Sequence, residues 1–299
     1  MRRNFYTLDV FTDVALAGNP LAVVLDSEGL DDARMQAIAS EFNLAETVFV
    51  MPPRNPVNTA RLRIFTPGRE LPFAGHPTVG TAVLLAHLRA PDILAREDLR
   101  IVLEEGVGEV VCIARHRKGQ AMAAYFILPR LPQSIGEAPT AEALAAGLGL
   151  SAADIGFGAH RPTMYSAGTK KLFVPIGSLA AMARARPELT RWGENDGPAA
   201  YLYASEVTRK GSNWHARMFA AGWGVAEDPA TGSAAAAFAG VVMQFDRPSD
   251  GEHMFVIEQG LEMGRPSFIS LGIEVEGGAL RSATIGGSAV IVAQGAINL

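Results

Sequence analysis

Residues 60–65, ARLRIF, lead through a loop into residues 76–82, HPTVGTA, and residues 215–219, HARMF, lead through a loop into residues 228–234, DPATGSA. Both stretches read as a strand, a glycine-bearing loop, and a polar residue followed by Pro, two further residues, Gly, Thr or Ser, and Ala at the opening of a helix. Pro77 and Pro229 stand about half the chain apart. A match at that spacing points to two duplicated domains. Small ligands bind preferentially where domains meet, so the site is expected in a cleft between the two halves.

The helices opened by these motifs are apolar on every side. Val79, Ala82, Val83, Leu84, Leu85 and Ala86 go round the first, and residues 234–242 do the same in the second. A helix apolar all round is buried all round. Its natural container is a curled sheet or barrel; close packing is the plain reading for Gly232 and accounts for the alanines at 234–237. The rest of the chain supplies strands for such a container. Residues 5–11, 21–25, 46–51 and 60–65 read as strands in the first half, with a helix over 35–42 capped by Asp31 or Asp32. Three strands follow over 99–104, 109–115 and 121–128. Pro129, Pro132 and Pro139 then mark a boundary, which divides the chain into residues 1–130 and 131–299, with a crossover of the last strands left open. A helix over 140–148 follows, with strands over 171–175, 199–205 and 214–219 and a helix from Pro229 to about Phe245. Strands over 254–258, 267–274, 279–285 and 289–294 close the chain. The expected class is α+β.

Composition narrows the function. The 299 residues carry 26 Lys+Arg against 31 Asp+Glu, a formal net charge of −5, with no basic cluster of the kind that binds nucleic acid. The 31 Gly and 18 Pro exceed the roughly 12% usual for the two together, in keeping with a strand-rich fold with many turns. Cys112 is the single cysteine, which excludes an intrachain disulfide, a cysteine-based zinc cluster and any mechanism needing two thiols within the chain. No apolar stretch approaches the roughly 20 residues of a membrane span, and the N-terminus has no signal-peptide core. A soluble cytoplasmic protein without membrane partners is expected.

Several residues are candidates for chemistry. Helix N-termini hold anions because their first amides lack partners, so the two helix openings suit a substrate carboxylate, or are simply capped by their loops. His76 suits a general acid/base or an orienting role, or is a structural histidine. Asp228 at the matching place suits an N-cap or a polar site group. Glu46, at the mouth of the apolar strand 46–51, is either a satisfied edge residue or a base in a partly dry site. His76, Asp228 and Ser233 supply the residue types of a hydrolase triad, but no G-x-S-x-G elbow is present and Ser233 lies in a helical turn. Gly106-Val107-Gly108 lacks the third glycine and the following helix of a dinucleotide fingerprint, and no phosphate-binding or metal motif occurs. No cofactor is expected.

Longer segments carry a resemblance: residues 9–12 with 18–24, 43–47, 63–67, 70–78, 227–234, 258–260 with 263–267, and 286–290. Together they resemble the PhzF family of phenazine-biosynthesis isomerases and their relatives, within the diaminopimelate epimerase-like fold. The resemblance implies two pseudo-symmetric domains, each a β-barrel-like sheet around a central helix, with the active site between them. Related epimerases use two cysteines, whereas the corresponding loops here read Phe73-Ala74-Gly75-His76 and Ala226-Glu227-Asp228, without a thiol. The PhzF branch is associated instead with one glutamate that moves a proton between carbons of trans-2,3-dihydro-3-hydroxyanthranilate. By motif, Glu46 is the implied proton shuttle, His76 and Asp228 orient the substrate, and Ser233 with the amides near Gly75 and Gly232 binds its carboxylate. The implied protein is a cofactor-free isomerase of a small cyclic amino or hydroxy acid and a homodimer. The alternatives are a non-catalytic binder of small carboxylates on the same scaffold and a hydrolase acting through Ser233.

Overall fold

The structure is a computed structural model that describes residues 2–187, 199–220 and 225–299. The chain divides into two compact units: the residues up to Pro129 with Ile285–Leu299, and Arg130–Thr284. The first unit contains β1 (Arg2–Val10), β2 (Asn19–Val24), α1 (Asp32–Phe42), β3 (Glu46–Met51), β4 (Ala60–Phe65), β5 (Glu70–Leu71), α2 (Gly75–Arg89), α3 (Pro91–Leu94), β6 (Leu99–Glu105), β7 (Gly108–Arg115) and β8 (Ala123–Ile127). The second contains β9 (Gln133–Ser134), α4 (Ala141–Leu148), β10 (Thr163–Ser166), β11 (Lys170–Pro175), α5 (Leu179–Arg184), β12 (Ala199–Ala204), β13 (Trp214–Ala220), β14 (Val225–Asp228), α6 (Gly232–Phe245), β15 (Gly251–Gln259) and β16 (Ser267–Glu276). The last strand, β17 (Ala279–Asn298), begins in the second unit and ends in the first.

In the first unit the strands close on themselves in the order β17, β1, β2, β3, β4, β6, β7, β8 and back to β17. The result is an eight-stranded barrel, which leaves no open edge. Two joints in this ring are parallel, β2 with β3 and β4 with β6, and a parallel joint needs a crossover. The first crossover is α1, capped by the Asp31 carboxylate, which accepts from Arg34 N–H; it packs Met35, Ile38 and Ala39 against Val24, Phe49 and Phe65. The second passes through β5 and α2. Every residue of α2 from Gly75 to Ala86 is buried, and the helix touches β1, β2, β3, β6, β7 and β8, so it fills the barrel.

The second unit repeats the order β9, β10, β11, β12, β13, β15, β16, β17. Its parallel joints are β11 with β12, around α5, and β13 with β15, around β14 and α6. In α6, Gly232 and residues 234–242 are buried. The repeat extends to side chains. Arg63 of β4 forks onto both oxygens of Glu70 at 2.7 and 2.6 Å, and Arg217 of β13 forks onto both oxygens of Glu227 at 2.7 and 2.9 Å. The α+β class, with a barrel-like sheet around a central helix, therefore stands as expected.

Three details differ from the sequence reading. The strands expected over 279–285 and 289–294 are one continuous strand, β17. Within that strand Gly286 marks a close approach: a Cβ there would lie 2.5 Å from the Ala124 carbonyl oxygen and would enter the Tyr125 ring. The helix expected from Pro229 starts at Gly232, because residues 229–231 are held in a turn by Asp228 and Gln259. By contrast α2 opens at Gly75, ahead of Pro77, so the two helices do not start at matching points of the motif. Of the loop expected between Phe219 and Asp228, residues 221–224 lie outside the described residues. Among the described residues no helix is long and apolar enough to cross a membrane.

Candidate active site

In the first unit the parallel joint of β2 and β3 sets Leu21 beside Glu46, the first residue of β3. The second residue of α2, His76, comes to the same place. Its Nε2 lies 3.5 Å from Glu46 Oε2, with the imidazole 5% exposed and the carboxylate 17%. Burial pushes the imidazole down to about 3, against the opposite pull of a hydrogen bond to the backbone of Pro20. His76 is therefore neutral. Proline offers only a carbonyl, so the ring donates in that bond, and because Nε2 has no hydrogen-bond partner the donor is Nδ1. The proton thus sits on Nδ1 and a lone pair sits on Nε2, facing Glu46. A lone pair and a carboxylate 3.5 Å apart attract only when a proton lies between them. The pair is built to share one with a ligand or with each other.

In the second unit Asp228 ends β14, opposite Met218 of β13. Its carboxylate accepts the Thr231 hydroxyl, and Gln259 Nε2 donates to its carbonyl at 2.7 Å. Gln259 Oε1 also accepts from the Thr231 amide at 3.2 Å. Of the two readings offered for Asp228 the N-cap does not hold: Thr231 occupies that position, and the Asp228 carboxylate accepts the Thr231 hydroxyl. Gly232 and Ser233 follow as the first two residues of α6, Ser233 half-buried, just as Gly75 and His76 are the first two of α2. Neither helix takes a side-chain cap, and in α6 the amide of Ala234 bonds to the Thr231 carbonyl at 3.1 Å.

Lys171, Gln259, Thr231 and Tyr201 were not singled out in the sequence. Lys171 of β11 is fully buried; burial pushes its amine down to about 8 while the Asp228 charge pulls the other way. Strand pairing puts Phe173 beside Tyr201, Tyr201 opposite Met218, and Met218 opposite Asp228, so Lys171, Tyr201 and Asp228 share one sheet face. That face packs on α6 through the rings of Phe173 and Tyr201 against Phe238. Period-two spacing within each strand carries this signal, but only once the strand pairing is known.

A triad histidine gives its Nδ1 proton to a carboxylate; within its own unit His76 gives it to Pro20, and in the other unit Asp228 accepts from Thr231. Gly106-Val107-Gly108, unlike a nucleotide loop, is the hairpin between β6 and β7. A Cβ on Gly106 would lie 2.7 Å from the Pro72 Cα, so this turn packs on the segment leading into α2. Cys112 is buried in β7 and burial pushes its thiol up. Among the described residues no group of three or more His, Cys, Asp or Glu side chains is arranged to hold a metal ion.

The family model described as phenazine biosynthesis-like protein (PhzC-PhzF) matches residues 8–295. The chain is 49% identical to an uncharacterized isomerase of Mesorhizobium japonicum, over 98% of each chain. It is 35% identical to trans-2,3-dihydro-3-hydroxyanthranilate isomerase of Pseudomonas fluorescens, over 99% of each. The crystal structure of a PhzF-family phenazine biosynthesis protein of Bacillus anthracis superimposes over 100% of both chains with a TM-score of 0.88 at 26% identity.

Proposed function

The chain belongs to the PhzC-PhzF family of phenazine biosynthesis-like proteins, and on that premise we propose that it moves a proton within a small cyclic amino or hydroxy acid, with Glu46 as the general acid and base. The enzyme is an isomerase. The observation that supports Glu46 is its pairing with a neutral His76 whose lone pair faces it across 3.5 Å. A C–H made mobile by conjugation to a carboxylate needs one positioned base, and a base of this kind contributes about 10²–10⁴-fold in rate.

In this reading Glu46 takes the proton from one ring carbon and returns it to another. His76 Nε2 accepts a hydrogen bond from the substrate amino or hydroxyl group. Asp228 orients the same group, and Ser233 with the amides of Gly75 and Gly232 takes the substrate carboxylate. Charge that develops on the conjugated acid is offset by those helix-opening amides. A homodimer belongs to the same reading, and light scattering checks it.

The test is proton NMR in D2O with trans-2,3-dihydro-3-hydroxyanthranilate and related cyclic amino acids, on the enzyme and on Glu46→Gln. Double-bond migration with deuterium uptake, lost in Glu46→Gln, is the expected result. Migration that survives the substitution removes Glu46 as the base. Binding of these acids without any conversion, equal in both proteins, turns the reading to a non-catalytic carboxylate binder.

A further inference from the structure

Glu105 ends β6 and is buried against the opening of α2, where no step of the proposed reaction uses it. The Thr78 hydroxyl oxygen lies 2.8 Å from Glu105 Oε1 and 2.8 Å from the Ala74 carbonyl oxygen. A hydroxyl has one proton, and a carbonyl can only accept. With the Thr78 proton given to Ala74, the contact with Glu105 is a hydrogen bond only when Glu105 is the donor. The other carboxyl oxygen, Oε2, is buried without a hydrogen-bond partner. An ionised carboxylate there would leave a charged oxygen bare in the protein interior, which is costly.

The second unit carries the same device with an amide. In the parallel joint of β4 and β6, Arg61 pairs with Glu104; in that of β13 and β15, His215 pairs with Glu258. Glu104 accepts from the amides of Arg54 and Asn55, and Glu258 from those of Thr208 and Arg209. The next residues, Glu105 and Gln259, therefore occupy the same place in the two units. Gln259 Nε2 donates to the Thr231 hydroxyl at 3.1 Å, and Thr231 donates its own proton onward to Asp228. A carboxylic acid at 105 reproduces that relay: Glu105 to Thr78, and Thr78 to Ala74.

We propose that Glu105 works as a carboxylic acid that donates to Thr78, and that in this form it is a positioning residue for the first turn of α2. Ala74 is the residue before that turn, and Gly75 and His76 are its first two members, so the relay fixes the groups that meet the substrate. The link to catalysis rests on the isomerase reading above. The electrostatic setting agrees, since burial pushes the Glu105 carboxyl up to about 8, against a smaller opposite pull from Thr78. The elements packed on it bring Thr78 from α2 and Cys112 from β7, whose thiol is itself pushed up by burial and by the Glu105 charge. The turn at Gly106 brings Pro72, which has no charge.

The test follows the carboxyl carbon of Glu105 by 13C NMR in glutamate-labelled protein, assigned by its disappearance in Glu105→Gln. The expected signal stays at the protonated position at pH 7 and moves only as the pH passes about 8. A group whose native value is raised binds its proton more tightly in the native state. Between about pH 4.5 and 8 the wild type therefore loses stability relative to Glu105→Gln as the pH rises. The glutamine variant should melt at or above the wild type at pH 7, retain its kcat/KM there within about threefold, and lack a loss of kcat/KM above pH 8 that the wild type has. A carboxylate signal at pH 6.5, or a glutamine variant that melts lower or fails to fold, overturns the proposal. The NMR arm needs no substrate. An inactive wild type thus refutes the isomerase reading, while the carboxyl signal still decides whether Glu105 holds its proton.

Discussion

Glu258→Gln should cost the second unit a large part of its stability, because it breaks a buried three-group ion network. His215 Nδ1 lies 2.9 Å from Glu258 Oε1, and His215 Nε2 lies 2.9 Å from Glu262 Oε1. An imidazole with a carboxylate at both nitrogens carries both protons. Burial alone would lower the His215 value, and the hydrogen bonds to Glu262 and Glu258 outweigh it, so the net direction is up. Burial pushes Glu258 up, and its bonds from the Thr208 amide, His215 and the Arg209 amide outweigh that, so it lies below the usual carboxylate range. A glutamine keeps one acceptor oxygen but turns an NH2 towards a backbone donor, and it leaves the imidazolium with one carboxylate instead of two. Removing one member of a buried pair costs about 3–5 kcal/mol. At about 2–4 °C per kcal/mol for a unit of this size, the melting temperature should fall by about 6–20 °C.

The pH dependence of that cost has a definite sign. The His215 contribution is complete below its unfolded value of 6.5 and is lost as the pH rises through its raised folded value. The Glu258 and Glu262 contributions are complete above 4.5 and are lost as the pH falls through their lowered folded values. The gap between wild type and Glu258→Gln should therefore be widest near pH 5–6.5 and shrink to either side. Differential scanning calorimetry across pH 3–10 measures it. A fall of less than about 2 °C at pH 6, or a gap that does not change with pH, would refute the argument.

Two further outcomes follow from the same geometry. Nitrogen-15 spectra of the histidine rings should show His76 neutral with its proton on Nδ1 from pH 8 down to pH 5, while His215 titrates above the usual imidazole value of 6.5. A His76 ring that titrates near 6.5 contradicts its burial against Pro20. Arg217→Ala should cost about 3–5 kcal/mol by denaturant unfolding, since Arg217 is buried, forks onto Glu227 and donates to the carbonyls of Met182 and Ala185. Arg217→Lys should recover only part of it, because an ammonium cannot reproduce the fork. Equal stability of the lysine variant and the wild type would count against this account.

The sequence exposes what depends on local pattern. Apolar residues on every side of 79–86 and 234–242 require a container, and α2 and α6 are buried as that argument demands. The strand motif at 60–65 and 215–219 gave the repeat, and its two arginines hold matching clamps. Features that depend on strand pairing were out of reach. Residues 102–106, VLEEG, and 256–260, VIEQG, match and set Glu105 against Gln259, but only the β4–β6 and β13–β15 joints show what the matched positions touch. Glu46 was legible as a carboxylate at the mouth of an apolar strand, but its use depends on the state of His76. That state is set by burial inside the barrel and by the carbonyl of Pro20, more than fifty residues away. The short strands β9 and β10 carry too few residues for alternation to stand out.

The duplicated frame explains why the two units use different polar groups at equivalent places without losing the fold. Both central helices are entered through a strand tied to its neighbour by an arginine fork, and both have a threonine near the opening held by the residue at the end of the following strand. Gln259 serves there at any pH, because an amide always has its donor. Glu105 serves only while protonated, and carboxyl and amide differ little in shape, so the frame accepts either. The same argument separates the pH limits of the two units. The second unit loses its His215 network on the alkaline side by losing a positive charge between two carboxylates. The first loses the Thr78 relay by gaining a negative charge where no cation faces it among the described residues. Glu105→Gln should therefore remove the alkaline sensitivity of the unit that holds Glu46 and His76, and leave that of His215 unchanged.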